Sequence, residues 1–222
     1  MSPVSIITTS DGSHSLFNSS LNETYHSVHG AIVESKHVYI QHGLDFWFQQ
    51  NEERSVRILE IGFGTGLNAL LTLLHGQSLN RNIYYESWEA FPLETSIIKQ
   101  LNYGEQLGAS HWFSQLHEVI WNKQVQLTSS FTIQKIHGDI LASPISGPFD
   151  VVYYDAFAPS RQPDMWTMDI LKKVSDAMVS GGIIVTYCAK GQLKRDLMTL
   201  GLTVETLSGP PGKKEMVRAK IM

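Results

Sequence analysis

The chain has 222 residues, a hydrophobic fraction of 42%, a charged fraction of 17% and a formal net charge of −4. These values fit one globular domain and exclude a disordered chain, a collagen-like repeat and a coiled-coil array. Cys188 is the single cysteine, which excludes a disulfide framework and a cysteine-rich zinc site. The sequence shows neither a signal peptide nor a run of ~20 apolar residues, so a cytoplasmic protein is expected.

Residues 1–50 are polar and aromatic, and we interpret them as an N-terminal extension packed on a catalytic domain of residues 51–222. Within the extension, the apolar run at 32–40 indicates a short strand. From residue 56 onward, short β-branched runs alternate with longer amphipathic segments. The short runs predict strands at 56–61, 83–88, 131–137, 149–154, 183–187, 202–207 and 214–221. The longer segments predict helices at 65–75, 93–101, 104–116, 166–179 and 192–200.

This alternation predicts right-handed crossovers and a parallel sheet that is covered on both faces. The last two strands are joined by the turn at 209–212 without a helix, so they should pair as an antiparallel hairpin. An α/β fold with a seven-stranded, mostly parallel sheet and an antiparallel C-terminal strand is the Rossmann-like arrangement of class I methyltransferases.

A glycine-rich segment, EIGFGTGLN at 60–68, joins the first strand of this sheet to the next helix. Its G-x-G-x-G spacing lets the backbone approach a ligand, but it matches neither a dinucleotide fold nor a Walker A loop. Glu60 would repel a pyrophosphate and can accept a hydrogen bond from an ammonium group. The segment therefore points to S-adenosylmethionine, with an ordinary turn as the alternative. The cofactor-binding residues assigned here are Glu60, Gly62, Phe63, Gly64, Gly66 and Asn68.

Three further acids follow the carboxyl ends of later strands, where ligands bind in open α/β sheets. Glu89 is placed to bind the ribose hydroxyls, and Asp139 to bind the adenine amino group. Asp155 lies at the end of the central strand and is also assigned to cofactor binding, because it would face the transferred methyl group. There it would orient an amine nucleophile and help to remove its proton. Each acid could instead be an exposed strand end or the cap of a turn.

The sequence gives less support for a metal site, a serine nucleophile or a nucleic-acid surface. The nine histidines are spread along the chain without metal-ligand spacing, so no metal is expected. The sequence also lacks a G-x-S-x-G nucleophile elbow. Residues 189–222 carry seven basic and three acidic side chains, which leaves a net charge of −8 on the rest of the chain. This asymmetry can mark a phosphate-facing surface or simply a solvated face.

Four segments together carry a family resemblance: EIGFGTGLN at 60–68, WEAFPL at 88–93, YDAFAPSRQPDMWT at 154–167 and PGKKEM at 211–216. In order and spacing they resemble the methyltransferase domain of the MnmC family, bifunctional enzymes that modify the wobble uridine of tRNA. The resemblance extends from about residue 25 to the end of the chain. The loop that follows Asp155 is specific to that family.

The resemblance implies that the 5-aminomethyl group of wobble (2-thio)uridine in tRNA is methylated by S-adenosylmethionine, giving 5-methylaminomethyl-(2-thio)uridine. It implies that Asp155 meets the amine and that Phe157 walls the nucleobase pocket, both as catalytic residues. The substrate-binding residues that it implies are Phe157, Pro159, Trp166, Lys213 and Lys214.

The sequence departs from the family in three respects, of which the smallest is Ala156 in place of a glycine that is common in the bifunctional forms. It ends at Met222 without the FAD-dependent oxidase domain, so we expect a standalone methyltransferase that depends on separate enzymes for its aminomethyl precursor. The family's GFGR before the basic pair is replaced by GPPG at 209–212. Two alternatives stay open: a methyltransferase of a small-molecule amine, which the net acidity favours, and a non-catalytic module that binds S-adenosylmethionine.

Overall fold

The computed structural model describes residues 4–51 and 55–222. Residues 1–3 and 52–54 lie outside the described residues, and the second of these gaps adjoins the expected boundary between the extension and the catalytic domain. The extension begins with a small antiparallel sheet of three strands, β1 (Val4–Thr8), β2 (His14–Asn18) and β3 (Glu23–Thr24).

A continuous helical segment follows this small sheet. It consists of α1 (Ala31–Ser35), a π-helix (Lys36–Asp45) and α2 (Phe46–Gln50). The strand predicted at 32–40 is therefore wrong. A short apolar run fits a buried helix as well as a strand, and the helix places Val38, Tyr39 and Leu44 in the core beside the central sheet.

The central sheet has eight strands in the described part of the chain. They are β4 (Ser55–Ile61), β5 (Asn82–Glu89), β6 (Gln124–Gln126), β7 (Phe131–His137), β8 (Phe149–Tyr154), β9 (Met178–Thr186), β10 (Leu202–Ser208) and β11 (Glu215–Ile221). Their order is β10-β11-β9-β8-β4-β5-β7-β6. The predicted count of seven strands missed β6, whose two glutamines flank a single apolar residue and give no strand signal.

The pairing confirms the predicted Rossmann-like α/β fold. Strands β9, β8, β4, β5 and β7 are parallel to one another, and β10 and β11 form the expected antiparallel hairpin. The antiparallel strand β11 lies between β10 and β9, not at the edge of the sheet. Strand β6 adds a short antiparallel edge beside β7.

Helices cover both faces of this sheet. They are α3 (Leu67–Ser78), α4 (Thr95–Ile98), α5 (Tyr103–Gln106), α6 (Ser110–Glu118), α7 (Met168–Asp176) and α8 (Gly191–Thr199). A 3₁₀-helix (Pro163–Trp166) precedes α7. The helix predicted at 104–116 is divided, because Gly108 adopts a φ of +62° between α5 and α6. The helix predicted at 166–179 is shorter, since residues 178 and 179 already belong to β9.

Alternate side chains of the central strands point to opposite faces of the sheet and pack into two apolar cores. On β8, Val151 and Tyr153 face the core that includes the helical segment of the extension, whereas Val152 and Tyr154 face the core that includes α7 and α8. In the described part of the chain, no helix combines the length and the apolar character that crossing a membrane requires.

Removing the side chain of Leu44 tests whether the helical segment is part of this core. Leu44 is fully buried, and Leu44→Ala should lower the free energy of unfolding by about 2–5 kcal/mol, since it leaves a cavity. Leu79→Ala, at a residue that is 44% exposed, is the control and should cost about 1 kcal/mol or less. Urea unfolding measures both, and equally small losses would contradict the packing.

Candidate active site

The parallel strands β4, β5, β7 and β8 end at the same edge of the sheet, and a cavity of about 1140 Å³ opens there. Most of the predicted site residues line it: Gly62, Phe63, Gly64, Asn68, Glu89, Asp139, Asp155, Phe157 and Lys213. The predicted residues that do not line it are Glu60, Gly66, Pro159, Trp166 and Lys214. The extension contributes Tyr25, His26 and Glu34 to the same wall.

The glycine loop between β4 and α3 is held tightly against its neighbours. The amides of Gly62 and Phe63 both donate to the carbonyl of Trp88, at 2.9 and 3.2 Å. Gly62 adopts a φ of +92°, and a Cβ there would lie 2.9 Å from the carbonyl oxygen of Asp155. Gly66 is the N-cap of α3 and has a φ of +74°. The loop therefore needs glycine for its conformation and for its close contact with the loop after β8.

Glu60 lies behind this loop and is fully buried. Its Oε2 accepts a hydrogen bond from the Ser87 hydroxyl at 2.5 Å. Its Oε1 and the Oδ1 of Asn68 are buried without a hydrogen-bond partner among the described residues. Burial raises the pKa of Glu60 to about 8, although the Ser87 hydrogen bond opposes the shift.

Glu89 and Asp139 line the cavity and also cap nearby backbone. The carboxylate of Glu89 accepts the amide of Gly64 at 2.9 Å through Oε2 and the amide of Phe91 at 2.8 Å through Oε1. It thereby ties the glycine loop to the loop after β5. Asp139 is exposed after β7, and its Oδ1 accepts the amide of Leu141 at 2.8 Å.

Asp155 follows β8 and is held on both carboxylate oxygens. Its Oδ1 accepts the Tyr39 hydroxyl at 2.5 Å, and its Oδ2 accepts the side-chain amide of Asn68 at 2.8 Å. Burial raises the pKa of Asp155 to about 6. The two hydrogen bonds lower it, because they favour the charged form. Of the nearby charges, Glu34 raises this pKa and Lys213 lowers it.

An aromatic pair stands on the cavity wall beyond Asp155. The ring of Tyr25 meets Phe157 edge to face, with centroids 5.0 Å apart. Trp166 is buried beneath the loop, and its Nε1 donates to the Phe157 carbonyl at 2.8 Å. Trp166 therefore supports the Phe157 backbone without reaching the cavity, and Pro159 also stays outside it.

The two predicted lysines have different positions. Lys213 lines the cavity, and its Nζ lies 2.6 Å from Oε1 of Glu34. Lys214 is exposed and is not part of the cavity wall. Both follow β10, at the same edge of the sheet as Lys190, which follows β9 and is exposed. Within the described residues, no group of three or more His, Cys, Asp or Glu is arranged to hold a metal ion.

Sequence reasoning missed the residues that the extension brings to the site. Tyr39 fell in a wrongly predicted strand, and Glu34 and Tyr25 belong to no motif. His26 belongs to no motif either, and its Nε2 lies 2.8 Å from the Thr65 hydroxyl. No local pattern links these residues to the glycine loop or to Asp155, because the contacts join distant parts of the chain.

Comparisons with known proteins extend the family resemblance. The chain is 26% identical over 212 residues to the "tRNA 5-methylaminomethyl-2-thiouridine biosynthesis bifunctional protein MnmC" of Methylobacillus flagellatus, covering 90% of this chain and 33% of that protein. It is 30% identical over 220 residues to the protein of that name in Leptospira interrogans, covering 88% of this chain and 32% of the relative. The chain thus spans about a third of the length of these curated relatives.

Comparison with solved structures supports the same family resemblance. The crystal structure of MnmC2 from Aquifex aeolicus superimposes with a TM-score of 0.80 and 25% identity, covering 100% of this chain and 71% of that one. Spermidine synthase from Thermotoga maritima, with a TM-score of 0.58 and 13% identity, shares the fold. These similarities confirm the resemblance to MnmC proteins.

Residues 99–222 match a family described as S-adenosyl-L-methionine-dependent methyltransferase. Because this match covers more than half of the chain, the protein belongs to the family of S-adenosyl-L-methionine-dependent methyltransferases.

Proposed function

We propose that this enzyme methylates the 5-aminomethyl group of wobble (2-thio)uridine in tRNA, giving 5-methylaminomethyl-(2-thio)uridine. The observation that carries the proposal is the placement of Asp155, which Tyr39 and Asn68 hold at the cavity wall beside the glycine loop. The names of the curated relatives, which refer to 5-methylaminomethyl-2-thiouridine biosynthesis in tRNA, support this substrate.

The residues around the glycine loop fit S-adenosylmethionine. Two buried oxygens, Glu60 Oε1 and Asn68 Oδ1, have no partner among the described residues, and either can accept a hydrogen bond from an ammonium group. Asn68 lines the cavity wall, whereas Glu60 lies behind it. We assign the methionine part to Glu60, Gly62, Phe63, Gly64, Gly66 and Asn68, the ribose to Glu89 and the adenine to Asp139.

The chemistry requires a neutral amine, and Asp155 is suited to produce it. When bound, S-adenosylmethionine supplies a methyl group on a positively charged sulfur. A protonated amine has no lone pair for attack, so a nearby base must accept its proton. With a pKa of about 6, the carboxylate of Asp155 is mostly ionised at neutral pH and is more basic than an exposed aspartate. Tyr39 and Asn68 keep it oriented.

The surroundings of Asp155 suit a nucleotide substrate. Phe157 and Tyr25 present an aromatic wall on which a flat base can pack. Three lysines lie at the edge of the sheet where the cavity opens: Lys190, Lys213 and Lys214. A fourth lysine nearby, Lys194, is paired with Glu215 at 2.9 Å. Phosphate contacts from such side chains contribute much of the affinity for nucleic acids. This distribution favours a phosphate-bearing substrate over a free amine.

The N-terminal extension is part of the proposed catalytic unit. Residues 1–50 contribute Tyr25, Glu34 and Tyr39 to the site, so we include them in the catalytic unit with residues 51–222. Because the reaction consumes a primary aminomethyl group already attached to the base, separate enzymes that make this group are the expected functional partners.

Methyl transfer to tRNA tests the proposal directly. Labelled S-adenosylmethionine is supplied with tRNA from cells that lack this gene, and nucleosides are analysed by mass spectrometry. We expect one new labelled product, 5-methylaminomethyl-(2-thio)uridine.

Asp155→Asn should reduce turnover by about 10²-fold or more, because it removes the proton acceptor. Asp169→Asn, at an exposed residue of α7, is the matched control.

Two results would contradict different parts of this proposal. Cofactor binding measured by calorimetry without any transfer to tRNA would refute the proposal and favour a small-molecule amine. Near-normal turnover of Asp155→Asn would remove Asp155 from the mechanism.

The buried position of Glu60 has a measurable effect on stability. A carboxyl whose pKa is raised in the folded state from 4.5 to about 8 stabilises the fold at low pH, and this contribution is lost as pH rises between those values. Glu60→Gln should therefore be more stable than the wild type at pH 8, by about 2–4 kcal/mol, and the difference should vanish near pH 4.5. Unfolding in urea across this pH range measures it.

Glu105→Gln, at an exposed residue of α5, controls for the loss of one carboxylate and should show no comparable pH dependence. A Glu60→Gln protein whose stability parallels the wild type at every pH would show that Glu60 is not buried as described.

A further inference from the structure

An ion pair inside the cavity joins the extension to the turn between β10 and β11. The Nζ of Lys213 lies 2.6 Å from Oε1 of Glu34 and 3.8 Å from the centroid of the Tyr187 ring. Glu34 is only 5% exposed, so little water reaches its carboxylate. A buried carboxylate and an aromatic face are the groups with which proteins bind organic ammonium ions.

Both groups that receive the lysine are fixed by other hydrogen bonds. Oε2 of Glu34 accepts the amide of Ser27 at 2.7 Å, which leaves Oε1 for the cation. The Tyr187 hydroxyl donates to the carbonyl of Ala156 at 2.8 Å, which sets the position of the ring. Ala156 directly follows Asp155, so the cation lies near the proposed proton acceptor. The subsite is thus rigid on both sides.

Lys213 itself is held less firmly. Its side chain is 32% exposed, and it extends from a turn in which Pro211 and Gly212 are exposed. A lysine has four flexible methylenes and presents a point charge that pairs readily with a phosphate. A phosphate group that binds beside the turn would therefore offer this side chain another partner outside the cavity.

We propose that Glu34 and Tyr187 form the subsite for the ammonium group of the substrate, and that Lys213 occupies it until a phosphate of the substrate draws the lysine away. This inference deepens the proposed function and rests on it for the identity of the substrate. An amine without a phosphate must displace Lys213 unaided. The lysine therefore selects a nucleic acid over free amines, and the vacated subsite holds the amine beside Asp155.

A small ammonium probe tests the subsite without tRNA. Benzylammonium carries an aminomethyl group on a flat ring, and benzyl alcohol is its neutral counterpart. We expect Lys213→Ala to bind benzylammonium ~10-fold more tightly than the wild type, because the internal competitor is gone. The affinity for benzyl alcohol should not change. The double variant Lys213→Ala with Glu34→Gln should lose the gain. Calorimetry on the full chain measures each affinity.

Two further variants complete the set. Lys220→Ala removes an exposed lysine near the far end of β11 and should leave the affinity for benzylammonium unchanged. Lys213→Gln keeps a polar side chain of similar length without its charge and should also bind the probe more tightly, which covers the case in which Lys213→Ala unfolds. Equal affinity of the wild type and both Lys213 variants for benzylammonium would overturn the inference.

The wild type and the Lys213 variants also show whether a failed test counts against the subsite or against the proposed function. If wild-type protein does not methylate tRNA but the Lys213 variants gain affinity for benzylammonium, the subsite is supported and the tRNA substrate is wrong. If tRNA is methylated and no variant gains affinity, the proposed function holds and the subsite is wrong.

Discussion

The two hydrogen bonds to Asp155 are the interaction on which the rest of the site depends. They join three parts of the chain, because Tyr39 comes from the π-helix of the extension, Asn68 from the first turn of α3 and Asp155 from the end of β8. Any shift of the extension against the sheet would release one side of the carboxylate. The buried contacts of Val38 and Leu44 with the core keep the Tyr39 hydroxyl in place.

Charge explains why this site suits positively charged molecules. The charged side chains of Lys, Arg, Asp and Glu that line the described part of the cavity are Glu23, Glu34, Glu89, Glu94, Asp139, Asp155, Asp164 and Lys213. The excess of carboxylates attracts both the sulfonium and the ammonium groups of S-adenosylmethionine and the ammonium of an amine substrate. Under the proposed function, the tRNA phosphates would instead be attracted by Lys190 and Lys214, which are exposed at the same edge of the sheet.

The sequence predicts the central sheet well because β4 and β8 are short, mostly apolar runs, β5 is rich in aromatic residues and β7 alternates between apolar and polar side chains. The topology then brings Glu89, Asp139 and Asp155 to one edge, so their common location follows from strand direction alone. Strand β6 escaped prediction because its residues are mostly polar. Tyr39 and Glu34 escaped because the run around them fits strand and helix equally well. Their contacts with Asp155 and Lys213 span 116 and 179 residues of the chain.

The titration of Asp155 tests the central claim most directly. Carbon-13 NMR of labelled aspartate carboxyl groups, with the signal assigned by its loss in Asp155→Asn, reports this pKa. The structure predicts a midpoint at about pH 6 in the wild type. The midpoint should be higher in Tyr39→Phe, since the hydrogen bond that favours the charged form is lost. A midpoint near pH 4, the ordinary value of an exposed aspartate, in both proteins would contradict the account.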